Sequence, residues 1–235
     1  MQIFYAPEVN GNEYILPEDE SKHCIRVLRM KVGDLLYLTN GIGSLFTAKI
    51  IDDNPKRCAV EIVEANHEYG KRPFYLHIAI APTKNIDRFE WFLEKATEIG
   101  IDEVTPLLCQ RSERKVVKVD RLIKVAVAAM KQSVKAYLPQ VNVMKPYAEV
   151  VKNANDYDIK AIAHCNSWDL EPFRNVIERG KKVLVLIGPE GDFTPDEVTQ
   201  ALDVGFNAIS LSTSRLRTET AGLVACHTAN LINGV

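Results

Sequence analysis

The sequence is poor in several features that would assign a chain to a compartment or a chemistry. Its five cysteines, Cys24, Cys58, Cys109, Cys165 and Cys226, are scattered, odd in number and form no C-x-x-C pair. A disulfide framework and a zinc knot are therefore disfavoured. A reducing cytoplasm is the expected setting, and each cysteine reads as a small buried hydrophobe. Met1-Gln2-Ile3-Phe4-Tyr5 is not a charged n-region followed by an apolar run, so no signal peptide is expected. No segment approaches the roughly 20 apolar residues of a membrane span. The longest candidate, Val183–Ile187, is strand-sized. Excess charge is also missing: 29 Lys and Arg stand against 31 Asp and Glu, a net charge of −2. Any nucleic acid would have to be met by local basic patches. Neither an internal repeat nor a low-complexity tract is present.

What is present is an ordinary globular composition, with 46% hydrophobic and 26% charged residues among 235. At about 100–200 residues per domain, that length suits one large domain or two smaller ones. Residues 1–70 read as a small β-rich unit. Leu35–Leu38, Leu45–Ile51 and Cys58–Val63 are strand candidates separated by Asn40-Gly41-Ile42-Gly43 and Asp52-Asp53-Asn54-Pro55, both turn chemistry. Ahead of them, Pro17–Met30 reads as a helix with Glu18, Asp19 and Glu20 in its first turn and Gly33 beyond its end.

The charged stretch Asn66–Pro73 marks a domain boundary, and residues 73–235 then alternate strand and helix patterns. Alternation of that kind implies an α/β domain on a largely parallel sheet. Phe74–Ala81, Ile159–His164 and Ala208–Leu211 are strand candidates. Val183–Ile187 is apolar at every position, as in a strand covered on both faces. Helices are expected over Asp87–Ile99, with an Asp87-x-x-Glu90 capping box, and over Asp120–Tyr137 and Leu170–Arg179. Another is expected after Thr194-Pro195-Asp196-Glu197, and a last one, apolar on nearly all sides, over about Thr220–Asn233.

Three segments carry chemistry. Gly188-Pro189-Glu190-Gly191-Asp192-Phe193 lies between a buried strand and a capped helix, where α/β sheets bind ligands. It is not G-x-G-x-x-G and lacks the G-K-[ST] of a phosphate loop. A tight strand-to-helix turn is the plain alternative. The second segment, Leu211–Ala221 (LSTSRLRTETA), sets two arginines, a glutamate and several hydroxyls at a helix start. Capping by Thr218 and Glu219 accounts for part of it, but not for Arg217, since a cation at a helix N-terminus is unfavourable. The third signal is basic. Eight basic and two acidic residues lie between Arg111 and Lys135, with Arg121, Lys124, Lys131 and Lys135 on one expected helical face. Lys22, Arg26 and Arg29 repeat at i, i+4 and i+7. Such stripes are usually solvated faces, but two of them in a net-acidic chain favour an anionic polymer as partner.

GPEGDFTPDE, LRTETA and the upstream HCIRVLRMKVGD together resemble the ribosomal RNA small subunit methyltransferase E family of the SPOUT superfamily. Lys84, Glu94–Glu98, Gly100, Gln132-Ser133 and Pro139 extend the match over essentially the whole chain. Asp192 stands where that family usually has glycine, Ser212 likewise, Lys135 replaces a common arginine, and Thr213-Ser214-Arg215 is altered. The resemblance implies a trefoil-knotted SPOUT α/β methyltransferase domain preceded by a PUA-like β-barrel, and a homodimer. It also implies methyl transfer from S-adenosylmethionine to N3 of a decoding-region uridine in 16S rRNA, without a metal.

The cofactor is expected at Ile187, Gly188, Glu190, Gly191, Leu211, Ser214 and Leu216. Catalytic roles are expected for Arg217 and Glu219, and RNA contacts for Lys22, Arg26, Arg29, Arg121, Lys124 and Lys131. The RNA partner is free 16S rRNA or an assembled small subunit. Two rivals remain open. A nucleotide-dependent oxidoreductase would call for a phosphate fingerprint, and a non-catalytic RNA-binding assembly protein would need the basic stripes but not LRTETA.

Overall fold

In a computed structural model the chain is described over residues 3–165 and 170–235. Met1 and Gln2, which open the N-terminal stretch, lie outside the described residues. The chain divides into two compact units, Met1–Lys71 with Val127–Leu138, and Arg72–Ala126 with Pro139–Val235.

The first unit contains β1 (Ile3–Tyr5), β2 (Glu13–Ile15), α1 (Glu18–Lys22), β3 (Leu35–Thr39), β4 (Leu45–Asp52) and β5 (Ala59–Asn66). They form one five-stranded sheet in the order β1-β3-β4-β5-β2. Phe4, Leu16, Cys24, Leu36, Leu38, Ala48, Ile50 and Val60 fill its core. The expected continuous helix Pro17–Met30 is not continuous. After α1 the chain widens into a π turn, His23–Val27, which Leu28 N closes on His23 O at 3.0 Å. A turn with one extra residue rotates the chain beyond it, so Lys22, Arg26 and Arg29 lose the regular α spacing that put them on one stripe. Residues 127–138 are joined to this unit by hydrogen bonds to the β3–β4 turn: Gly43 N to Ala136 O at 2.8 Å and Leu138 N to Gly41 O at 2.8 Å.

The second unit runs β6 (Tyr75–Ile80), α2 (Ile86–Ile99), β7 (Glu103–Leu108), α3 (Val119–Gln132), β8 (Gln140–Val141), β9 (Lys145–Pro146) and α4 (Tyr147–Lys152). It continues with β10 (Ile159–Ala163), β11 (Glu171–Pro172), α5 (Phe173–Val176), β12 (Lys182–Ile187), α6 (Pro195–Asp203), β13 (Asn207–Ser210) and α7 (Thr218–Asn233). The last turns of α3 belong to the first unit. The sheet order is β11-β13-β10-β12-β6-β7-β8, with β9 also on β7, and every pairing is parallel. Val183–Ile187 lies at the centre and is buried throughout, as its unbroken apolar run requires.

Several expected boundaries move for local reasons. Asn85, not Asp87, caps α2, its side chain accepting from Asp87 N. The second expected helix stops at Gln132, not Tyr137, and Val134 sits at φ 57. Leu170–Arg179 is mostly not helical: Pro172 ends β11 and caps the four-residue α5. Four cysteines are buried as expected, but Cys165 is exposed.

At the amino ends of β6 and β7 lies a buried polar group. His77 Nδ1 bonds to Tyr157 Oη at 2.7 Å, and its Nε2 to Thr105 Oγ1 at 2.8 Å. Burial pushes the His77 pKa down to about 4. The folded state therefore binds fewer protons than the unfolded chain between about pH 6.5 and pH 4. This contribution is present above pH 6.5 and lost as the pH falls to 4. Unfolding free energy in urea should drop by about 2 kcal/mol between pH 7 and pH 5 from this group alone. His77→Gln should remove that slope; an unchanged slope would exclude the histidine as its source.

Candidate active site

The carboxyl ends of β12 and β13 deliver the two chemistry-bearing segments into one region of the second unit. After Ile187 the chain turns through Gly188-Pro189, exposes Glu190 and Gly191, and enters α6. Thr194 and Glu197 form the expected capping box: Glu197 N donates to Thr194 Oγ1 at 3.2 Å and Thr194 N to Glu197 Oε2 at 2.9 Å. The other Glu197 oxygen accepts Gln110 N at 2.8 Å, tying the segment after β7 to the same turn.

The glycine loop is held from outside. Arg111 Nη1 donates to Gly191 O at 2.8 Å, and Glu190 Oε1 accepts Lys84 N at 2.9 Å. Arg114 binds Thr83 O at 3.0 Å and Lys84 O at 2.6 Å. Two arginines of the basic segment thus brace backbone carbonyls, and the Glu190 carboxylate is spent on the loop itself. Ile187 lends its carbonyl to Ala81 N at 3.0 Å, within the sheet.

Asp192 holds this loop through its own side chain. Its φ is 62°, the left-handed region that aspartate tolerates better than most residues. Its Oδ1 accepts Phe193 N at 2.8 Å and its Oδ2 accepts Cys165 N at 2.9 Å, linking the β10 exit to the loop. A glycine would keep the backbone conformation but supply neither bond. The two glycines that remain in the loop differ in kind. A Cβ on Gly188 would stand 3.1 Å from the buried Phe193 ring, so that glycine serves the turn's own packing. A Cβ on Gly191 would meet only Arg111, at 3.4 Å, an ordinary contact.

The partner segment, Leu211–Leu216, has its ends half-buried and Ser212–Arg215 exposed. Across Ser212–Leu216 only Ser214 donates its backbone N–H among the described residues, to Ser212 Oγ at 3.1 Å. Unpaired backbone groups beside half-buried leucines suit a ligand held through the main chain.

α7 begins here. Its cap is Arg217, with no side-chain cap bond, and not Thr218. Thr218 Oγ1 instead donates to Gly188 O at 3.2 Å, fixing the helix start to the glycine loop. The Arg217 side chain is exposed and makes no ion pair or hydrogen bond among the described residues. The Glu219 side chain is only 9% exposed and lies 3.9 Å from Arg88 Nε. Arg217, Glu219 and Thr220 share an open cleft of about 500 Å³ with Asp87, Arg88 and Trp91 of α2. Sequence pattern marks these three α2 residues only as helix; their part in the cleft depends on how α2 packs on α7. The final helix is also less uniformly buried than expected, with Leu231 63% exposed.

The basic residues fall in both units. In the first, Lys22 pairs with Glu18 at 2.7 Å and Lys131 with Glu20, whereas Arg26 and Arg29 are exposed. In the second, Arg121 pairs with Glu90 and Asp87, and Lys124 is exposed.

Two family models match the chain, an RNA methyltransferase domain over residues 70–230 and an RNA methyltransferase PUA domain over residues 16–63. Fold and site together are those of an RNA methyltransferase. A crystal structure described as a probable rRNA-methyltransferase from Porphyromonas gingivalis is 42% identical, with a TM-score of 0.94 over 100% of this chain and 99% of that one. The ribosomal RNA small subunit methyltransferase E of Neisseria gonorrhoeae, solved bound to S-adenosyl methionine, is 26% identical, with a TM-score of 0.86 over 96% of this chain and 95% of that one. The enzyme of the same name from Buchnera aphidicola is 28% identical over 95% of this chain and 90% of its own length. The chain belongs to the ribosomal RNA small subunit methyltransferase E family.

Proposed function

We propose that this chain transfers the methyl group of S-adenosylmethionine to N3 of a uridine in the decoding region of 16S rRNA. The observation that carries the reading is Arg217: a guanidinium without a partner among the described residues, at a helix N-terminus, beside a nearly buried Glu219 and a glycine loop. The residues present fit the cofactor. Among the described residues the main-chain N–H groups of Ser212–Leu216, Ser214 apart, have no partner, Leu211 and Leu216 offer apolar cover, and Gly191 has no side chain to obstruct approach. Ile187, Gly188 and Glu190 shape the loop around them.

When bound, the sulfonium supplies an electrophilic methyl group. The chain's own task lies on the uracil side. N3 carries a proton at neutral pH and attacks poorly until that proton leaves. As it leaves, negative charge spreads onto O2 and O4, and Arg217 stabilises it. Glu219, held near Arg88, accepts the proton or orients the ring. The exposed Arg26, Arg29 and Lys124 contact phosphates, and Lys22, Lys131 and Arg121 do so by exchanging their carboxylate partners. A knotted chain path, a homodimer and binding to 16S rRNA or the assembled small subunit belong to the same proposal and rest on the resemblance.

Mass spectrometry of 16S rRNA from cells lacking the protein should show loss of one N3-methyluridine, restored by the wild-type chain. Restoration by a folded Gly191→Val variant that binds S-adenosylmethionine normally in calorimetry would overturn the cofactor site. An unchanged methylation pattern in the deletion strain would overturn the reaction.

A further inference from the structure

The cleft beside Arg217 contains one large side chain that the proposed reaction does not use. Trp91 is 41% exposed and lines the cleft with Arg88, Arg217 and Glu219. The buried face of α2 is already filled by Phe89, Phe92, Leu93 and Ala96. Trp91 therefore is not spare core: it turns away from that face, one helical turn after Arg88. An indole left this open forgoes much of the area that an aromatic ring usually buries.

Three features of the cleft narrow what covers the indole. The rim carries two arginines and two carboxylates: Arg88 lies 3.9 Å from Glu219, Asp87 stands beside it, and the Arg217 guanidinium has no partner among the described residues. Arginine at such a rim matches phosphate and carbonyl oxygens. The volume, about 500 Å³, suits a single small ligand and is too small for a duplex groove. A planar apolar face next to guanidinium groups is the set that RNA-binding proteins use for an unstacked base. Chemistry at uracil N3 also requires that the base leave its pair and its stack, at a cost the enzyme must offset.

We propose that Trp91 is the stacking platform for the splayed-out target uracil, a positioning residue that holds the ring against Arg217 and Glu219. The inference rests on the RNA methyltransferase reading. A stack formed in the bound state helps binding more than chemistry, so its loss should raise KM for RNA and leave kcat nearly unchanged. Trp91→Ala should raise KM for RNA by roughly tenfold, within the range of single-base stacking. Trp91→Phe should stay within about threefold of wild type, because a ring remains. S-adenosylmethionine affinity should not move in either.

The chain has two tryptophans, so a Trp168→Phe background leaves Trp91 as the sole indole. Its fluorescence should be quenched by a single-stranded RNA oligonucleotide carrying the target uracil, and much less by the same oligonucleotide abasic at that position. Equal quenching by both would overturn the assignment to the target base. So would an unaltered KM in Trp91→Ala, including the case in which that variant sediments as a smaller species and Trp91 proves to be a subunit contact. If wild-type enzyme methylates no RNA at all, the failure belongs to the proposed function and not to Trp91.

Discussion

Arg217→Ala is expected to lower the single-turnover methylation rate by roughly a hundred- to a thousandfold, the usual effect of losing one contact to developing negative charge, about 2.7–4 kcal/mol. S-adenosylmethionine should bind as before, because the cofactor is held by main-chain groups. The effect on stability should run the other way. A cation at a helix N-terminus is unfavourable by about 0.3–1 kcal/mol, and Arg217 makes no cap bond and no ion pair among the described residues. Its removal should therefore leave the fold as stable as before or slightly more so. A residue kept for structure would show the opposite pattern. Glu219→Gln should also slow the reaction, and if Glu219 takes the proton the deficit should shrink as the pH rises. Single-turnover assays at saturating RNA and cofactor decide the matter. A near-normal rate for Arg217→Ala would remove it from the chemical step and leave it an RNA contact.

The second large effect concerns Gly222, in the second turn of α7. Helix propensity alone says that alanine there stabilises by about 1 kcal/mol. Packing reverses the sign. A Cβ on Gly222 would lie 2.7 Å from Phe92 of α2 and 2.8 Å from Ile80 of β6, both fully buried. Overpacking a dense core costs about 1–3 kcal/mol. Gly222→Ala should therefore destabilise the second unit by that amount, read as a lower urea midpoint. Part of the strain would be relieved by moving α7 outward, and α7 bears both Arg217 and Glu219. Activity should fall with stability, whereas Gly234→Ala, at the left-handed cap beyond the end of the helix (φ 76°), should cost about 1 kcal/mol of stability yet leave the catalytic rate unchanged, because no neighbour has to move. A stabilised Gly222→Ala protein would mean that α2 and α7 pack less closely than these distances show.

The sequence by itself determined the elements whose causes are local. The unbroken apolar run Val183–Ile187 requires a strand covered on both faces, because no amphipathic element could bury it. Thr194-Pro195-Asp196-Glu197 writes a helix start in four residues, since its capping bonds close within one turn. Motif spacing then placed the glycine loop and LRTETA at strand ends, and an arginine at a helix N-terminus marked itself by its unfavourable position. Tertiary structure decided which charges are free. Arg111 and Arg114 look like any others in a basic segment, but they are spent on Gly191, Thr83 and Lys84 carbonyls, because loops distant in sequence arrive within 3 Å. The π turn after α1 broke a stripe that periodicity had drawn straight. Trp91 and Arg88 became part of the cleft only because Gly222 lets α7 pack closely on α2. Sequence pattern reports the bonds a residue can make to its chain neighbours; whether a charge is paired, or a ring left open, depends on distances that only the folded chain sets.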